Sequence, residues 1–187
     1  LSVELCSLTL QRQDLSIPNL IASGLFGDGA AAAVVVGANR NAHGPRIIDT
    51  RSVFYPESED VMGWDISESG FRIVLSAHVP EMVRRHLRGD VDAFLAGHGL
   101  TRRDIRSWIS HPGGPRVLEA MQDTLGLPDD ALESSWRSLR EVGNLSSTSV
   151  LLVLEETLER SAAEPGTYGL MVAMGPGFCS ELVLLEW

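Results

Sequence analysis

Apolar residues along the chain follow two patterns, short unbroken runs and longer stretches at helical spacing, and the two alternate. The runs VELCSLTL (residues 3–10), GAAAAVVVGA (29–38), RIIDTRSVFY (46–55), FRIVLS (71–76) and RSWIS (106–110) predict strands. The second never alternates with polar residues, which predicts burial on both faces. Between the runs, Val83, Leu87, Val91, Phe94 and Leu95 share one face of a helix that opens near Pro80 and closes at Gly97 and Gly99. Pro115 opens a second helix with Val117, Leu118, Met121 and Leu125 on one side, stopped by Gly126-Leu127-Pro128. A third follows NLSSTS (144–149) and carries Val150, Leu151, Leu154 and Leu158. The tail from Tyr168 to Trp187 reads as two strands joined through Gly175-Pro176-Gly177. The sum is an α/β fold, a sheet with helices packed over it and sites at the strand ends.

Composition narrows the partners. The chain has 187 residues, 44% hydrophobic and 21% charged, with net charge -10 and an isoelectric point near 4.9. That acidity repels phosphate backbones and anionic lipid heads, so nucleic acid and membrane surfaces are not expected as partners. The longest apolar stretch is far short of a membrane span, and no basic segment precedes an apolar one as in an export signal. Cys6 and Cys179 lack metal-ligand or disulfide spacing, which points to reduced thiols and a cytoplasmic location.

Candidate chemistry concentrates at two junctions. In WISHPGGPRVLEA, His111 lies between a predicted strand and a turn in which Gly113 and Gly114 allow close backbone approach. The helix opened by Pro115 favours negative charge in front of it, so His111 is placed to face a developing anion; its alternative role is structural. Asn144, in REVGNLSSTSVLLVL, stands where a buried helix begins and reads equally as an N-cap, a task open also to Ser146 or Ser147. Asp28, between glycines, reads as a turn former rather than a metal ligand. His43, His78, His86 and His98 are expected in water, and Glu155, Glu156 and Glu159 on the wet face of a helix.

LFGDGAAAAVVVG, WISHPGGPRVLEA, VGNLSSTSVL and the Gly-Pro-Gly before a terminal strand, in that order, resemble the chalcone synthase-like type III polyketide synthases, which have the thiolase-like fold of layered αβαβα architecture. VMGWDISESGFRIVLSAHVP resembles, more narrowly, the bacterial alkylresorcinol and alkylpyrone synthases. The resemblance implies decarboxylative Claisen condensation of malonyl-CoA onto an acyl-CoA starter, expected to be fatty acyl, then cyclisation. It assigns His111 and Asn144 as two members of a Cys-His-Asn triad. It gives Phe26 as an aromatic gatekeeper, where the bland reading is a core phenylalanine. It implies that Cys6, Thr9, Trp64, Ile73 and Ser146 line the elongation cavity, with Trp64 read either as a bulky core side chain or as directing the cavity toward an alkyl tail. Gly113, Gly114, Gly175, Pro176 and Gly177 shape the backbone beside the site. No metal or organic cofactor is implied, and a homodimer is.

The resemblance places residues 1–38 at the end of the N-terminal thiolase-like half and 39–187 as the whole C-terminal half. The family's nucleophilic cysteine belongs upstream of Leu1, and neither Cys6 in its strand-like run nor Cys179 after the turn replaces it. The chain alone is therefore expected to be inactive, its partner being a missing N-terminal half. Two other readings stand beside this one. One is a ketoacyl synthase III-type condensing enzyme, against which His111-Pro112-Gly113-Gly114-Pro115 argues; the other is a non-catalytic dimerisation or regulatory fragment.

Overall fold

Strand-length apolar runs separated by helices produce one mixed sheet covered on both faces. The computed structural model describes residues 1–40, 44–68, 70–160 and 164–187. In chain order its elements are β1 (Ser2–Leu5), a 3-10 turn (Cys6–Thr9), α1 (Ile17–Leu25), β2 (Asp28–Ala31), β3 (Arg46–Phe54), β4 (Met62–Ser67), β5 (Gly70–Leu75) and α2 (Val79–Ala96). There follow β6 (Ile105–Ser110), α3 (Pro115–Leu125), α4 (Glu133–Val142), α5 (Ser147–Arg160), β7 (Tyr168–Gly175) and β8 (Cys179–Glu186).

The main sheet runs β3-β8-β7-β6, with β6 parallel to β7 and the other neighbours antiparallel. Pleating divides its side chains between two cores. Trp108, Leu170, Val172, Leu182 and Leu184 pack with Val83, Leu87, Phe94 and Leu95 of α2 and Leu118, Met121 and Leu125 of α3. Ile109, Met171, Val183 and Leu185 turn the other way, onto Val150, Val153 and Leu154 of α5. β1–β2 and β4–β5 are separate antiparallel pairs.

The helical periodicity over 79–96 and 115–125 matches α2 and α3, and the strands at 46–55, 71–76, 106–110 and both tail strands agree to within about two residues. The N-terminal expectations need correction. The strand expected over residues 3–10 ends at Leu5, because the Asp28 carboxylate accepts from Ser7 N at 2.7 Å and Ser7 Oγ at 2.6 Å. Thr9 Oγ1 also donates to the Cys6 carbonyl, and these local bonds curl the chain into the 3-10 turn. Asp28 thus acts as a tether between two elements, and those bonds hold its carboxyl below the usual range. The run expected as a strand buried on both faces over 29–38 pairs only to Ala31, and Val34 is 91% exposed.

Three elements escape the periodicity: α1, β4 and α4. In α4 the buried residues are Ser135 and Ser138, flanked by a short apolar stripe of Trp136 and Leu139, with Leu132 just before the helix, that packs on the main core. In α5 the most buried positions are Thr148, Ser149, Val153 and Thr157; of the expected face Val150 and Leu154 pack on the sheet, while Leu158 is exposed. The hydroxyls are accommodated locally: Ser149 Oγ accepts from Leu145 N at 2.7 Å and Thr157 Oγ1 donates to the Val153 carbonyl at 2.7 Å.

Of the histidines expected in water, His78 and His98 are exposed and His86 is partly buried. His86 stacks on Tyr55 with ring centroids 4.5 Å apart, and His98 Nε2 lies 2.9 Å from Asp49 Oδ2 with its ring edge-on to Phe94. His78 is exposed beside Glu81, and His43 lies outside the described residues. Glu155 and Glu159 are wet, whereas Glu156 is half-buried between Arg137 and Arg160, each 3.3 Å away.

Leu87 is fully buried at the centre of α2. Leu87→Ala should cost about 3 kcal/mol of stability in chemical denaturation. Val34→Ala, on the exposed run, should stay within about 0.5 kcal/mol.

Candidate active site

His111 extends the parallel pairing of β6 and β7 by one residue, since its N–H donates to the Val172 carbonyl at 2.8 Å. Gly113 N returns to the His111 carbonyl at 2.9 Å, closing a tight turn. Gly114 has φ +153° with an extended ψ, a conformation open to glycine, and its carbonyl accepts from Val117 and Leu118 at the start of α3. The imidazole folds back over this turn, with Cδ2 and Nε2 3.5 and 3.7 Å from where a Gly113 side chain would begin. Burial pushes its pKa down to about 4, so the ring is neutral at pH 7.

Asn144 reaches the same turn from the opposite side. Its N–H donates to the Leu25 carbonyl at 2.8 Å and its carbonyl accepts from Gly27 N at 3.0 Å, forming a parallel bridge to Phe26. Gly143, at φ +76°, makes the approach possible, because a Cβ there would stand 2.6 Å from the Leu25 carbonyl oxygen. The Asn144 side chain then divides its work. Oδ1 accepts from Ser146 N at 2.8 Å, which serves the entry to α5, while Nδ2 donates to the Gly113 carbonyl at 3.1 Å. Asn144 is therefore both a turn former and a tie to the histidine loop.

Beside Phe26 opens a cavity of about 260 Å³. Phe26, Cys6, Thr9, Trp64, Ile73 and Ser146, dispersed over 140 positions of sequence, all line it. Trp64 packs edge-on to Phe71 in the β4–β5 hairpin, with centroids 6.0 Å apart. His111 and Asn144 do not line this cavity; Asn144 reaches its wall through the bridge to Phe26, and His111 follows by way of Gly113. The Gly175-Pro176-Gly177 turn lies at the same end of the sheet, three residues past the carbonyl that holds His111 N, and is outside the lining too. Gly177 needs its φ of +101° there.

Both thiols are poor nucleophiles in this setting. Burial first, then Glu4 and Asp28, raise the Cys6 pKa, and burial with Glu181 raises that of Cys179. Among the described residues, no group of three or more His, Cys, Asp or Glu is arranged to hold a metal ion. None of their helices is long and apolar enough to cross a membrane.

The sequence reading missed Glu4, which lines the cavity and accepts from both Ser147 N and Ser147 Oγ. It also missed Asn19, buried in α1, whose Nδ2 holds the Gln11 and Asp14 carbonyls. A polar residue inside an unrecognised helix gave no signal for Asn19. Glu4 carried one, as a carboxylate in an otherwise apolar run.

The strand end that carries His111 is thus linked through Gly113 to Asn144 at a neighbouring helix start, on a fold of the thiolase-like class. Residues 47–186 match the C-terminal domain of the chalcone and stilbene synthases, and the chain belongs to that family. It is 58% identical to the 1,3,6,8-tetrahydroxynaphthalene synthase of Streptomyces peucetius subsp. caesius, over 100% of this chain and 50% of that protein. It is 42% identical to a putative chalcone synthase of Bacillus subtilis (strain 168), over 100% and 53% respectively. The crystal structure of 1,3,6,8-tetrahydroxynaphthalene synthase from Streptomyces coelicolor A3(2), a bacterial type III polyketide synthase, superposes with TM-score 0.93 at 35% identity, covering 99% of this chain and 52% of that one. The chain spans about half the length of the curated relatives it matches.

Gly143→Ala, which drives a side chain into the Leu25 carbonyl, should destabilise the protein by about 2 kcal/mol or more, read by thermal or urea unfolding. Because raised pKa values lower the thiolate fraction, iodoacetamide should alkylate Cys6 and Cys179 more slowly than a model thiol at pH 8. The rates should climb as pH rises, measured by peptide mass spectrometry.

Proposed function

We propose that this chain is the His-Asn half of a type III polyketide synthase, with residues 1–38 closing the N-terminal thiolase-like half and 39–187 forming the C-terminal one. The single observation that supports this most is the bond from Asn144 Nδ2 to the Gly113 carbonyl, which draws the carboxamide to the loop that carries the imidazole. The exposed apolar run at Val34 and Val35 supports a partner half covering it. That half would bring the nucleophilic cysteine, and the complete synthase would work as a homodimer on malonyl-CoA and acyl-CoA.

The chemistry divides among the groups as follows. A starter acyl group is held on the partner half's cysteine as a thioester. Beside the thiolate, His111 gains the opposite charge that favours imidazolium, against the burial that keeps it neutral in this structure. When the malonyl thioester loses carbon dioxide, the electron pair of the broken C–C bond moves into an enolate. The imidazole and carboxamide N–H groups stabilise its oxygen, and Asn144 does so without taking a proton from the reacting carbon. The enolate carbon attacks the acyl thioester, forming the new C–C bond and releasing the cysteine thiolate. Phe26, beside Asn144, presents an apolar face that keeps water away and favours loss of the carboxylate.

For the product, similarity to an enzyme named 1,3,6,8-tetrahydroxynaphthalene synthase favours a polyhydroxylated fused aromatic. The Trp64 segment favours the second reading, a fatty acyl starter and an alkylpyrone or alkylresorcinol. Trp64 is 46% exposed, so its ring is free to close the cavity or to line a longer tunnel.

The complete synthase should decarboxylate malonyl-CoA, and His111→Ala or Asn144→Ala should each reduce that rate by at least about a hundredfold. Wild-type rates in both variants would remove the assignment. Product analysis with malonyl-CoA alone, and then with acyl-CoA starters of increasing length, separates the two product readings.

A further inference from the structure

β6 is the outer strand of the main sheet, so the peptide that leads into His111 has a strand neighbour on one side only. There His111 N donates to the Val172 carbonyl. On the open side the Ser110 carbonyl is met instead by α4, through the Ser135 hydroxyl at 2.7 Å, and both serines are fully buried. We propose that Ser135 is a positioning residue for His111, its bond to the Ser110 carbonyl coupling the strand end that carries the imidazole to the helix that leads into Asn144. The proposal rests on the roles given above to His111 and Asn144.

The neighbouring hydroxyls sharpen the case. β6 and α4 bury three serines, Ser110, Ser135 and Ser138, and of these only the Ser135 hydroxyl has a hydrogen-bond partner among the described residues. Were serine needed here only as a small side chain that lets α4 approach the sheet, its hydroxyl would stay as idle as that of Ser138. It is spent instead on the one carbonyl directly before the histidine. At its other end α4 passes through Gly143 into Asn144, held by Leu25, Gly27 and Gly113. The segment is thus tied on both sides of His111, to the Ser110 carbonyl before it and to the Gly113 carbonyl after it. The separation of nine positions between Ser135 and Asn144, most of it helix, sets the offset of carboxamide from imidazole.

Losing the bond leaves a buried carbonyl without a donor and frees the Ser110–His111 peptide to tilt. A displacement of well under an ångström at the imidazole weakens stabilisation of the enolate more than binding of substrate. In the complete synthase proposed above, Ser135→Ala should therefore lower kcat for malonyl-CoA decarboxylation about tenfold while KM changes less than about twofold. Ser135→Cys, close in size but a weak donor, should fall with Ser135→Ala. Ser138→Ala, which removes an unbonded hydroxyl from the same helix, should keep kcat within about twofold of wild type. Wild-type kcat in Ser135→Cys, or equal losses in the Ser135 and Ser138 variants while His111→Ala abolishes the reaction, would overturn the positioning role and leave the triad intact. A wild-type rate in His111→Ala would overturn both.

Discussion

The contact between Asn144 and the Leu25–Gly27 segment is the constraint on which the rest of the site depends. Two backbone bonds, 2.8 and 3.0 Å, splice the start of α5 to the chain around Phe26 as though they were neighbouring strands. That splice places the Phe26 ring at the cavity and the Asn144 carboxamide at the histidine turn in one stroke. It exists because position 143 has no side chain, since any Cβ would occupy the space of the Leu25 carbonyl. A glycine with no chemistry of its own therefore governs how the Phe26 ring and the Asn144 carboxamide stand relative to the histidine turn.

Rigidity behind the site comes from the sheet. β6, β7 and β8 bury side chains on both faces, α2 and α3 on one and α5 on the other, so the strand end that carries His111 is held between two packed cores. The same burial removes water from the imidazole and lowers its pKa to about 4. A group kept neutral by desolvation responds strongly to a single nearby charge, because little solvent remains to screen it. An approaching thiolate would act on it in that way. The cysteines of this chain sit where burial and carboxylates disfavour thiolate.

Legibility followed the burial pattern of each element. α2 and α3 place apolar residues on one face, and their spacing alone predicted them. α4 mixes two buried serines with a stripe of only Leu132, Trp136 and Leu139, too short to stand out, and in α5 Val150 and Leu154 pack as expected while Thr148, Ser149 and Thr157 are buried beside them and Leu158 is exposed. The valines at 34–36 predicted a core strand by composition, yet nothing among the described residues covers them, and a four-residue partner strand ends their pairing at Ala31. Of the candidate site, His111, Asn144 and the six residues around the cavity were named from motifs, and the structure brings those six together. Ser135 and Asn19 were not: the Ser135 hydroxyl bonds a carbonyl 25 residues away, and Asn19 lies in a helix that the apolar periodicity did not mark.

The sequence by itself determined the local alphabet of this protein: where strands and helices with one apolar face lie, which glycines and prolines turn the chain, and which imidazole and carboxamide stand at helix mouths. Those properties depend on residues within a few positions of each other, where periodicity and turn chemistry act. Only the tertiary structure decided that Asn144 joins Phe26, that Gly113 receives its amide, that Asp28 holds Ser7, and that Ser135 holds the strand end before His111. Each of those pairs is separated by 21 residues or more. Their geometry comes from how whole elements pack, which no short window of sequence contains.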